Sequence, residues 1–311
     1  MMTPLSKAQL DLAVDFNRRR HYPQDMWVRV QQHVGSDDDG VPGRQTASRV
    51  AEFQAKNGLP VDGKVGEQTL AAMGITRTKF DRIHRFPGDS AFFYLGQMAV
   101  DADGAPNAYN PDNTGIDALA NAGKPGRWWG LATDEDGEPF IQRADDPYPG
   151  YYVSTTALCD HRYPRHDPRG YVDATQIPYI VLPGNLKSLI DVGPLRKGDL
   201  AAVCLIDKRD NIVFSIYADV GPRWVPDHEP GEGSVALAQA LGHDPYVEGR
   251  IRRGIVRGVF YLIFPGTGTG QPLPIDEIRK RGSKAFEAWG GQTRLTEAIR
   301  ATGTEVPTTV R

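Results

Sequence analysis

Several features that mark special classes of protein are missing from this sequence. No apolar run approaches the roughly 20 residues that a membrane-spanning helix needs, and the start, MMTPLSKAQLDLAVDF, lacks the apolar core of a cleavable signal peptide. Basic residues are not in excess, with 36 Lys and Arg against 39 Asp and Glu. A surface that follows nucleic-acid phosphates normally carries such an excess. We therefore expect neither a membrane nor a nucleic acid as partner, and delivery outside the cell without a cleaved leader.

Cysteine is also scarce, with 2 residues, which excludes a disulfide framework. Cys159 and Cys204 both lie in apolar, strand-like contexts, so two buried thiols and a single bridge both remain open. The histidines and aspartates around Cys159 show no familiar zinc spacing. The two Asp-x-Asp-Gly runs lack the other ligands of a calcium loop. The sequence therefore predicts no metal and no cofactor.

What the sequence does contain is turn-forming residues, with 34 Gly and 24 Pro among 311 residues. This length favours two domains, and helical periodicity predominates up to residue 76. After a linker at 77–90, short apolar runs alternate with Gly, Pro and Asp clusters, which is typical of a β-barrel or sandwich, and the tail returns to helix. The predicted strands cover residues 91–100, 151–158, 179–182, 200–206, 212–217 and 259–264. We therefore predict an α+β protein with domains at 1–76 and 91–311, and we find no internal repeat.

The N-terminal domain carries an ordered set of short motifs. A Phe53-Gln54 pair is followed by a Gly-Leu pair, then by Asp62-Gly63 and a Val-Gly pair. This order, over about residues 24–75, resembles the three-helix peptidoglycan-binding module of bacterial wall hydrolases. The resemblance implies that this module anchors the chain to wall glycan through Phe53, Gln54, Asp62 and Gly63.

The most informative stretch of the second domain covers residues 212–242. A β-branched and aromatic strand leads to Asp219, where we expect it to break, and a polar loop follows. Glu232 comes next, and Ser234 is the predicted N-cap of a helix. Two carboxylates in unlike settings are what acid/base hydrolysis of a glycosidic bond requires.

The expected settings of the two carboxylates suggest different roles. Burial at a strand end raises the pKa of Asp219 and suits a general acid. A helix N-terminus favours the anionic form of Glu232 and suits a base that activates water. The residues alone leave a second interpretation open, in which Glu232 is a first-turn helix acid and Asp219 bonds to the backbone of a turn.

The surrounding blocks resemble the chitosanases of glycoside hydrolase family 75, above all in the Asp-Val-Gly-Pro run at Asp219 and the Gly-Glu-Gly-Ser run at Glu232. The resemblance implies that these two residues are the catalytic pair of an inverting hydrolase. The strand, turn and helix around Asp219 also resemble the six-stranded double-psi barrel of some wall-lytic enzymes, in which the equivalent Asp donates a proton. The matching blocks are residues 152–158, 171–174, 178–183, 198–201, 218–222, 231–234 and 264–266.

Further residues are candidates for substrate binding. Trp224 and the loop 223–230 are expected to wall the cleft. Asp101 and Asp103 are expected to meet amino-sugar cations, although an Asx turn explains them equally well. Hydrogen bonds to the glycan are expected from the hydroxyls of Tyr152, Thr155 and Thr156. A half-buried strand explains these three residues equally well.

These patterns predict a monomeric glycoside hydrolase that cleaves β-1,4 bonds of a cell-wall amino-sugar polymer, with peptidoglycan favoured over chitosan. Three alternatives remain: a chitosanase, a lytic transglycosylase and a non-catalytic wall-binding protein. An extracellular or periplasmic protein delivered without a leader would also meet a secretion machinery and an immunity protein. The sequence leaves the cleaved bond and the export route open.

Overall fold

A computed structural model describes residues 4–19, 24–75, 83–186, 193–224 and 230–303 of the chain. The chain divides into two compact units, one within residues 1–80 and one that covers residues 81–224 and 230–311. None of the helices in the described ranges is long and apolar enough to cross a membrane. Together the units give the mixed α+β class that the sequence predicts, with helices first and a large sheet after them.

The first unit is helical because apolar residues recur at helical spacing between glycine-rich turns. Its core consists of Trp27, Val30, Val50, Val65 and Leu70, all nearly inaccessible to solvent. The helices are α1 (Lys7–Arg19), α2 (Gln24–Val34), α3 (Arg44–Lys56) and α4 (Glu67–Ala72).

Two buried glutamines show that the module contains an internal repeat, so the expectation of no repeat is wrong. The Gln54 amide donates to Asp62 Oδ1 (2.9 Å), Lys64 O (3.0 Å) and Thr69 Oγ1 (3.1 Å), and its oxygen accepts from Gly63 N (2.9 Å). Twenty-three residues earlier in the chain, Gln31 bonds in the same order to Asp39 Oδ1, Val41 O, Thr46 Oγ1 and Gly40 N. The bonded residues recur in the sequence as well, since Gln31, Asp39, Gly40 and Thr46 match Gln54, Asp62, Gly63 and Thr69.

The same bonds show Gln54 and Gly63 in structural roles rather than at the wall, whereas wall contact by the half-buried Asp62 stays a prediction. Gln54 is 2% exposed, and its amide is fully used in holding the turn between α3 and α4. Gly63 has φ +68°, and an added Cβ would lie 2.8 Å from Ala47 O, so its role is conformational. Phe53 is half-buried and packs edge-to-face on His33 at 5.2 Å.

The second unit is built around a seven-stranded mixed sheet in the order β1-β2-β11-β6-β7-β5-β8. The strands are β1 (Ile83–His84), β2 (Phe92–Asp101), β5 (Tyr179–Pro183), β6 (Leu200–Leu205), β7 (Val213–Gly221), β8 (Glu232–Ser234) and β11 (Ile255–Phe264). Two hairpins lie outside it, β3 (Gly123–Lys124) with β4 (Arg127–Trp128) and β9 (Tyr246–Val247) with β10 (Arg250–Ile251).

The sheet closes on itself, because β2 pairs with β11 through residues 92–98 and with β8 through residues 99–101. Six of the described strands therefore form a ring, and β1 is attached to β2 beside it. The β2–β8 and β5–β7 pairs are parallel, and the other pairs are antiparallel. This closure brings the end of β2 next to β8.

Five of the six predicted strands are present, and the two short hairpins and three further segments differ from the prediction. Residues 151–158 form only isolated bridges, to Leu131 through Ser154 and to Ile141 through Tyr152. The strand β8 was not predicted, because three residues with two glycines around them carry no strand signal. Residues 83–84 of the predicted linker form β1.

Alternate residues of the strands face two separate apolar clusters, as the period of 2 in a strand requires. Tyr179, Val181, Phe260 and Leu262 belong to the first cluster, together with residues of α6 (Ile275–Trp289) and α7 (Gly291–Ala301). Ile180 and Leu182 belong to the second cluster, together with residues of α5 (Val235–Ala240). Both cysteines are free thiols, Cys204 buried and Cys159 half-buried, so no bridge joins them.

Candidate functional site

A β-bulge places the Asp219 side chain. Ile180 pairs with Tyr217 but Val181 pairs with Asp219, so Ala218 is an extra residue in β7. The carbonyl of Ala218 accepts instead from Leu158 N (2.8 Å). A one-residue shift moves the following side chains to the opposite face of a sheet. Asp219 therefore shares the face of Val181, and β7 continues to Gly221 rather than breaking at Asp219 as predicted.

The two oxygens of Asp219 have different surroundings. Oδ1 accepts from the backbone N–H groups of Ala157 and Val220, both at 2.8 Å. These two bonds stabilise the carboxylate anion, whereas partial burial disfavours it. Burial is the larger effect and raises the pKa of Asp219 to about 6. The two backbone bonds and the charge of Lys197 lower the pKa, but by less than burial raises it. The side chain is half-buried and stays accessible to solvent.

Glu232 lies on strand β8, on the same face of the sheet as Asp219. It pairs with Ala99 of β2, while Gly233 pairs with Ile180 of β5. Asp219 and Glu232 thus flank β5 from opposite sides, with backbones about 10 Å apart, two strand spacings. An added Cβ on Gly221, two residues after Asp219, would lie 3.0 Å from Glu232 Oε2. The two carboxyl groups therefore meet over one part of the sheet.

The expected electrostatic setting of Glu232 is wrong. Ser234 does cap α5, since its Oγ accepts from Leu237 N at 3.1 Å, but Glu232 stands two residues earlier on a strand. Burial, then the charges of Asp219 and Asp117, raise the pKa of Glu232 to about 7. Burial and nearby negative charges therefore favour protonated Glu232, which is the reverse of the setting expected beside a helix N-terminus.

Asp101 and Asp103 join the same site from the end of β2. Asp101 Oδ1 accepts from Asp103 N (2.9 Å), which is an Asx turn, yet both side chains also reach Asp219. One oxygen from each of the three aspartates lies within 4.8 Å of the others. Burial raises the pKa of Asp101, with Glu232 and Asp219 adding to it. Burial, then the charges of Asp101 and Asp219, likewise raise the pKa of Asp103.

Two tyrosines that the sequence did not single out hold these aspartates. The Tyr179 hydroxyl lies 3.1 Å from Asp101 Oδ2 and 2.8 Å from Asp103 O. The Tyr109 hydroxyl lies 2.7 Å from Asp103 Oδ1 and 3.2 Å from Asp117 Oδ2. Both tyrosines are buried. No local signal in the sequence distinguishes them from ordinary core tyrosines, because their partners lie on other segments.

This arrangement can hold protons at neutral pH. Four carboxyl groups share one region, and mutual repulsion together with burial prevents all of them from being ionised at once. Such a site can donate one proton and accept another, as acid/base hydrolysis requires. The three aspartate oxygens also have a spacing that suits a hard divalent cation, which the sequence analysis did not predict.

The other predicted binding residues differ in position. The Thr156 hydroxyl is buried and fully used, since it donates to Leu158 O (2.7 Å) and accepts from Val172 N (3.0 Å). Trp224 is 7% exposed and packs near Tyr94 in the second cluster, so it does not wall a cleft. Both predictions are therefore wrong, because burial decided the side-chain environments. Residues 225–229 of the predicted wall loop lie outside the described residues.

Tyr152 and Thr155 are half-buried in the segment that runs beside Gly130. Thr155 N donates to Gly130 O (3.0 Å), and the Tyr152 ring lies 6.4 Å from that of Trp128. An added Cβ on Gly130 would lie 3.0 Å from both carboxylate oxygens of Asp103. Their segment therefore borders the carboxyl cluster.

Comparison with known families identifies the first unit only. Residues 29–73 match the family model described as a putative peptidoglycan binding domain. A search of curated proteins gave no match. The matched segment covers α3, α4 and the second half of α2, and confirms the predicted module. It supports peptidoglycan as a partner and association of the chain with the cell wall.

Proposed function

We propose that the second unit is a glycoside hydrolase that cleaves β-1,4 bonds of a cell-wall amino-sugar polymer by an inverting, two-carboxylate mechanism. The observation that carries the proposal is the meeting of Asp219 and Glu232 on one face of the sheet, both half-buried and with pKa values raised to about 6 and about 7. One group can then hold a proton while the other is ionised near neutral pH.

The contacts favour Glu232 as the proton donor and Asp219 as the base. Two backbone N–H groups stabilise the Asp219 anion, whereas Glu232 faces the charges of Asp219 and Asp117. Glu232 gives its proton to the glycosidic oxygen as the bond to the anomeric carbon breaks. Asp219 takes a proton from the water that forms the new bond to that carbon. This assignment reverses the one expected from the sequence.

An inverting reaction needs a water molecule between its two carboxyl groups. Inverting enzymes hold their carboxyl groups roughly 6.5–9.5 Å apart, whereas retaining enzymes hold them about 5 Å apart. Backbones about 10 Å apart, on strands separated by β5, are compatible with the larger spacing. A ring of six strands around such a pair also fits the double-psi barrel that we propose for this unit, with the family 75 likeness in the same blocks.

Peptidoglycan is the substrate that we favour, because the matched module at residues 29–73 attaches the hydrolase to wall glycan. Chitosan shares the β-1,4-linked amino-sugar backbone and is the alternative that the family 75 likeness supports. In this proposal the chain acts as a monomer in the cell wall or periplasm.

The test is mass spectrometry of the products released by the full chain from purified peptidoglycan and from chitosan. We expect new reducing ends from one of the two polymers. Asp219→Asn and Glu232→Gln should each lower the rate by at least about 100-fold, the usual scale for a lost acid or base. The matched controls are Asp112→Asn and Glu135→Gln, which change exposed carboxylates.

The products also separate the competing functions. Anhydro-ended fragments would indicate a lytic transglycosylase, and binding without products from either polymer would indicate a wall-binding protein. Addition of EDTA tests the three-aspartate oxygen cluster, since the proposed reaction uses no metal and should be unchanged. A full loss of activity that Mg²⁺ or Ca²⁺ restores would replace the metal-free mechanism.

A further inference from the structure

Trp129 is a large aromatic residue that is 61% exposed but held in a fixed orientation. Its indole Nε1 donates to Asn121 O (2.7 Å), and its backbone N donates to Ala122 O (3.0 Å). Gly130 N donates to the same carbonyl at 3.0 Å. A ring fixed in this way loses little conformational entropy when a ligand packs on it. A single exposed apolar residue is common, so its position decides what it can do.

Two independent sets of contacts place Trp129 beside the carboxyl cluster. The first is the chain itself, because the next residue, Gly130, packs so closely on Asp103 that an added Cβ would lie 3.0 Å from both carboxylate oxygens. The second starts at Asn121, whose carbonyl holds the indole. The Asn121 side chain donates to both oxygens of Asp117 at 3.0 Å.

Asp117 in turn connects this residue to both halves of the site. It lies 3.2 Å from the hydroxyl of Tyr109, which also reaches Asp103. Its charge also acts on Glu232, where it is one of the three causes that raise the pKa. The two residues that flank and hold the Trp129 indole, Gly130 and Asn121, are therefore in direct contact with Asp103 and Asp117.

The hairpin that carries Trp129 is rigid for an identifiable reason. Trp128 lies directly over Gly123, where an added Cβ would be 2.8 Å from Trp128 Cα, and Gly123 has φ +125°. On its other side the Trp128 ring packs near Tyr152, at 6.4 Å between centroids. The glycine and the two aromatic rings fix the backbone from which Trp129 projects.

We propose that Trp129 is the platform on which a sugar ring adjoining the cleaved bond stacks. The occupant is an amino-sugar ring of the same polymer whose scissile bond lies over Asp219 and Glu232. The apolar C–H face of a pyranose packs on a flat indole, and an aromatic wall with a few polar groups is typical of ligand sites. The identity of the ring rests on the proposed function, whereas the presence of a platform rests on the exposure and position of Trp129.

The test is calorimetric titration of the full chain carrying Asp219→Asn and Glu232→Gln. The probes are a tetramer of β-1,4-linked N-acetylglucosamine and its de-N-acetylated counterpart. Trp129→Ala should weaken binding of the preferred tetramer by about 5- to 30-fold. Trp129→Phe should weaken it less than about threefold, because a flat apolar face remains. Tyr163→Ala is the matched control, since Tyr163 is a 39% exposed aromatic in another segment.

Binding of both tetramers at parental affinity by Trp129→Ala would overturn the platform, and so would failure of the parent to bind either one. If Trp129→Ala melts at a lower temperature than the parent, Trp129→Leu replaces it in the titration. Leucine keeps apolar bulk without a flat face, so it should weaken binding as alanine does. The hydrolysis assay tests the proposed function independently of the platform. Weakened binding in Trp129→Ala without products from the unaltered chain would leave the platform standing and overturn only the hydrolase.

Discussion

Asp219 and Glu232 face each other across β5, and the charge of Asp219 is among the causes that raise the pKa of Glu232. Within the part of the chain that the structure describes, neither forms an ion pair, and both are half-buried. The relationship depends on the extra residue Ala218 in β7, which turns Asp219 toward the face that Glu232 shares. In a regular strand Asp219 would point to the same side as Tyr217, away from its partner.

The first prediction concerns the pH dependence of activity. The rate should follow a bell with its maximum between about pH 6 and pH 7. The rate falls below about pH 6 because Asp219 becomes protonated and ceases to act as a base. It falls above about 7 because Glu232 loses the proton that it donates. The measurement is kcat/KM against pH with one defined oligosaccharide.

A substrate whose leaving group needs no proton tests the same assignment. On an activated aryl glycoside, Glu232→Gln should keep far more activity than Asp219→Asn, since only the acid becomes dispensable. The opposite ranking would restore the roles expected from the sequence.

The second prediction concerns stability. Folded-state pKa values of about 6 and about 7 exceed the ordinary carboxyl values near 4. Between about pH 4 and pH 7 the folded state therefore binds more protons than the unfolded state. The free energy of unfolding falls as the pH rises through this range. Asp219→Asn removes one such charge and should stabilise the chain by about 1–2 kcal/mol at pH 8, after allowance for its partial exposure.

Thermal unfolding at two pH values checks this result. The variant should melt about 2–6 °C above the parent at pH 8 and within a degree or so of it at pH 4. A lower melting temperature at pH 8 would mean that the Asp219 carboxylate stabilises the fold instead.

The third prediction uses Gly221 to move a carboxylate without removing it. An added methyl group would lie 3.0 Å from Glu232 Oε2 and 3.0 Å from Val181 Cγ1. Gly221→Ala should displace the Glu232 carboxylate by some tenths of an ångström and lower kcat/KM by about 10- to 100-fold. The control is Gly43→Ala, where an added Cβ meets nothing within 4 Å. Full activity of Gly221→Ala would show that the position of Glu232 does not matter.

The fourth prediction concerns the repeat in the wall-binding module. Gln31→Ala and Gln54→Ala each leave several buried hydrogen-bonding groups without a partner, so each should destabilise the module by roughly 2–4 kcal/mol. Hydrogen exchange of peptides from residues 24–75 in the full chain measures this loss. Gln32→Ala is the control, because Gln32 is exposed beside Gln31.

Binding to purified peptidoglycan decides whether Gln54 has a second role. We expect Gln31→Ala and Gln54→Ala to lose binding to a similar extent, because both act through the fold. Lost binding by Gln54→Ala with unchanged hydrogen exchange would show that Gln54 contacts the wall, as the sequence first suggested.

Much of this protein was readable from local patterns. Helical spacing and glycine caps predicted a helical first domain, its ordered short motifs resembled the peptidoglycan-binding module, and the family match at residues 29–73 confirms that module. Apolar runs between turn residues predicted most strands of the large sheet, and Ser234 was identified as a helix cap. These features are local, since each depends on residues within a few positions of one another in the chain.

The predictions that failed concern burial and partners. Thr156 and Trp224 have side chains that suit sugar binding, but the fold uses one in a backbone bond and the other in an apolar cluster. Gln54 is likewise buried, and its amide bonds within the module. Residue type states what a side chain is able to do, whereas burial by distant segments decides whether it is free to do so.

The sequence by itself determined the order of the two units, the strand that leads to Asp219 and the helix cap at Ser234. Only the tertiary structure decided that Asp219 turns toward Glu232, that Asp101 and Asp103 join them, and that Trp129 stands beside the cluster. The reason is that a bulge changes the face of a side chain through its pairing partner, and that partner, Val181, lies 38 residues away in the chain.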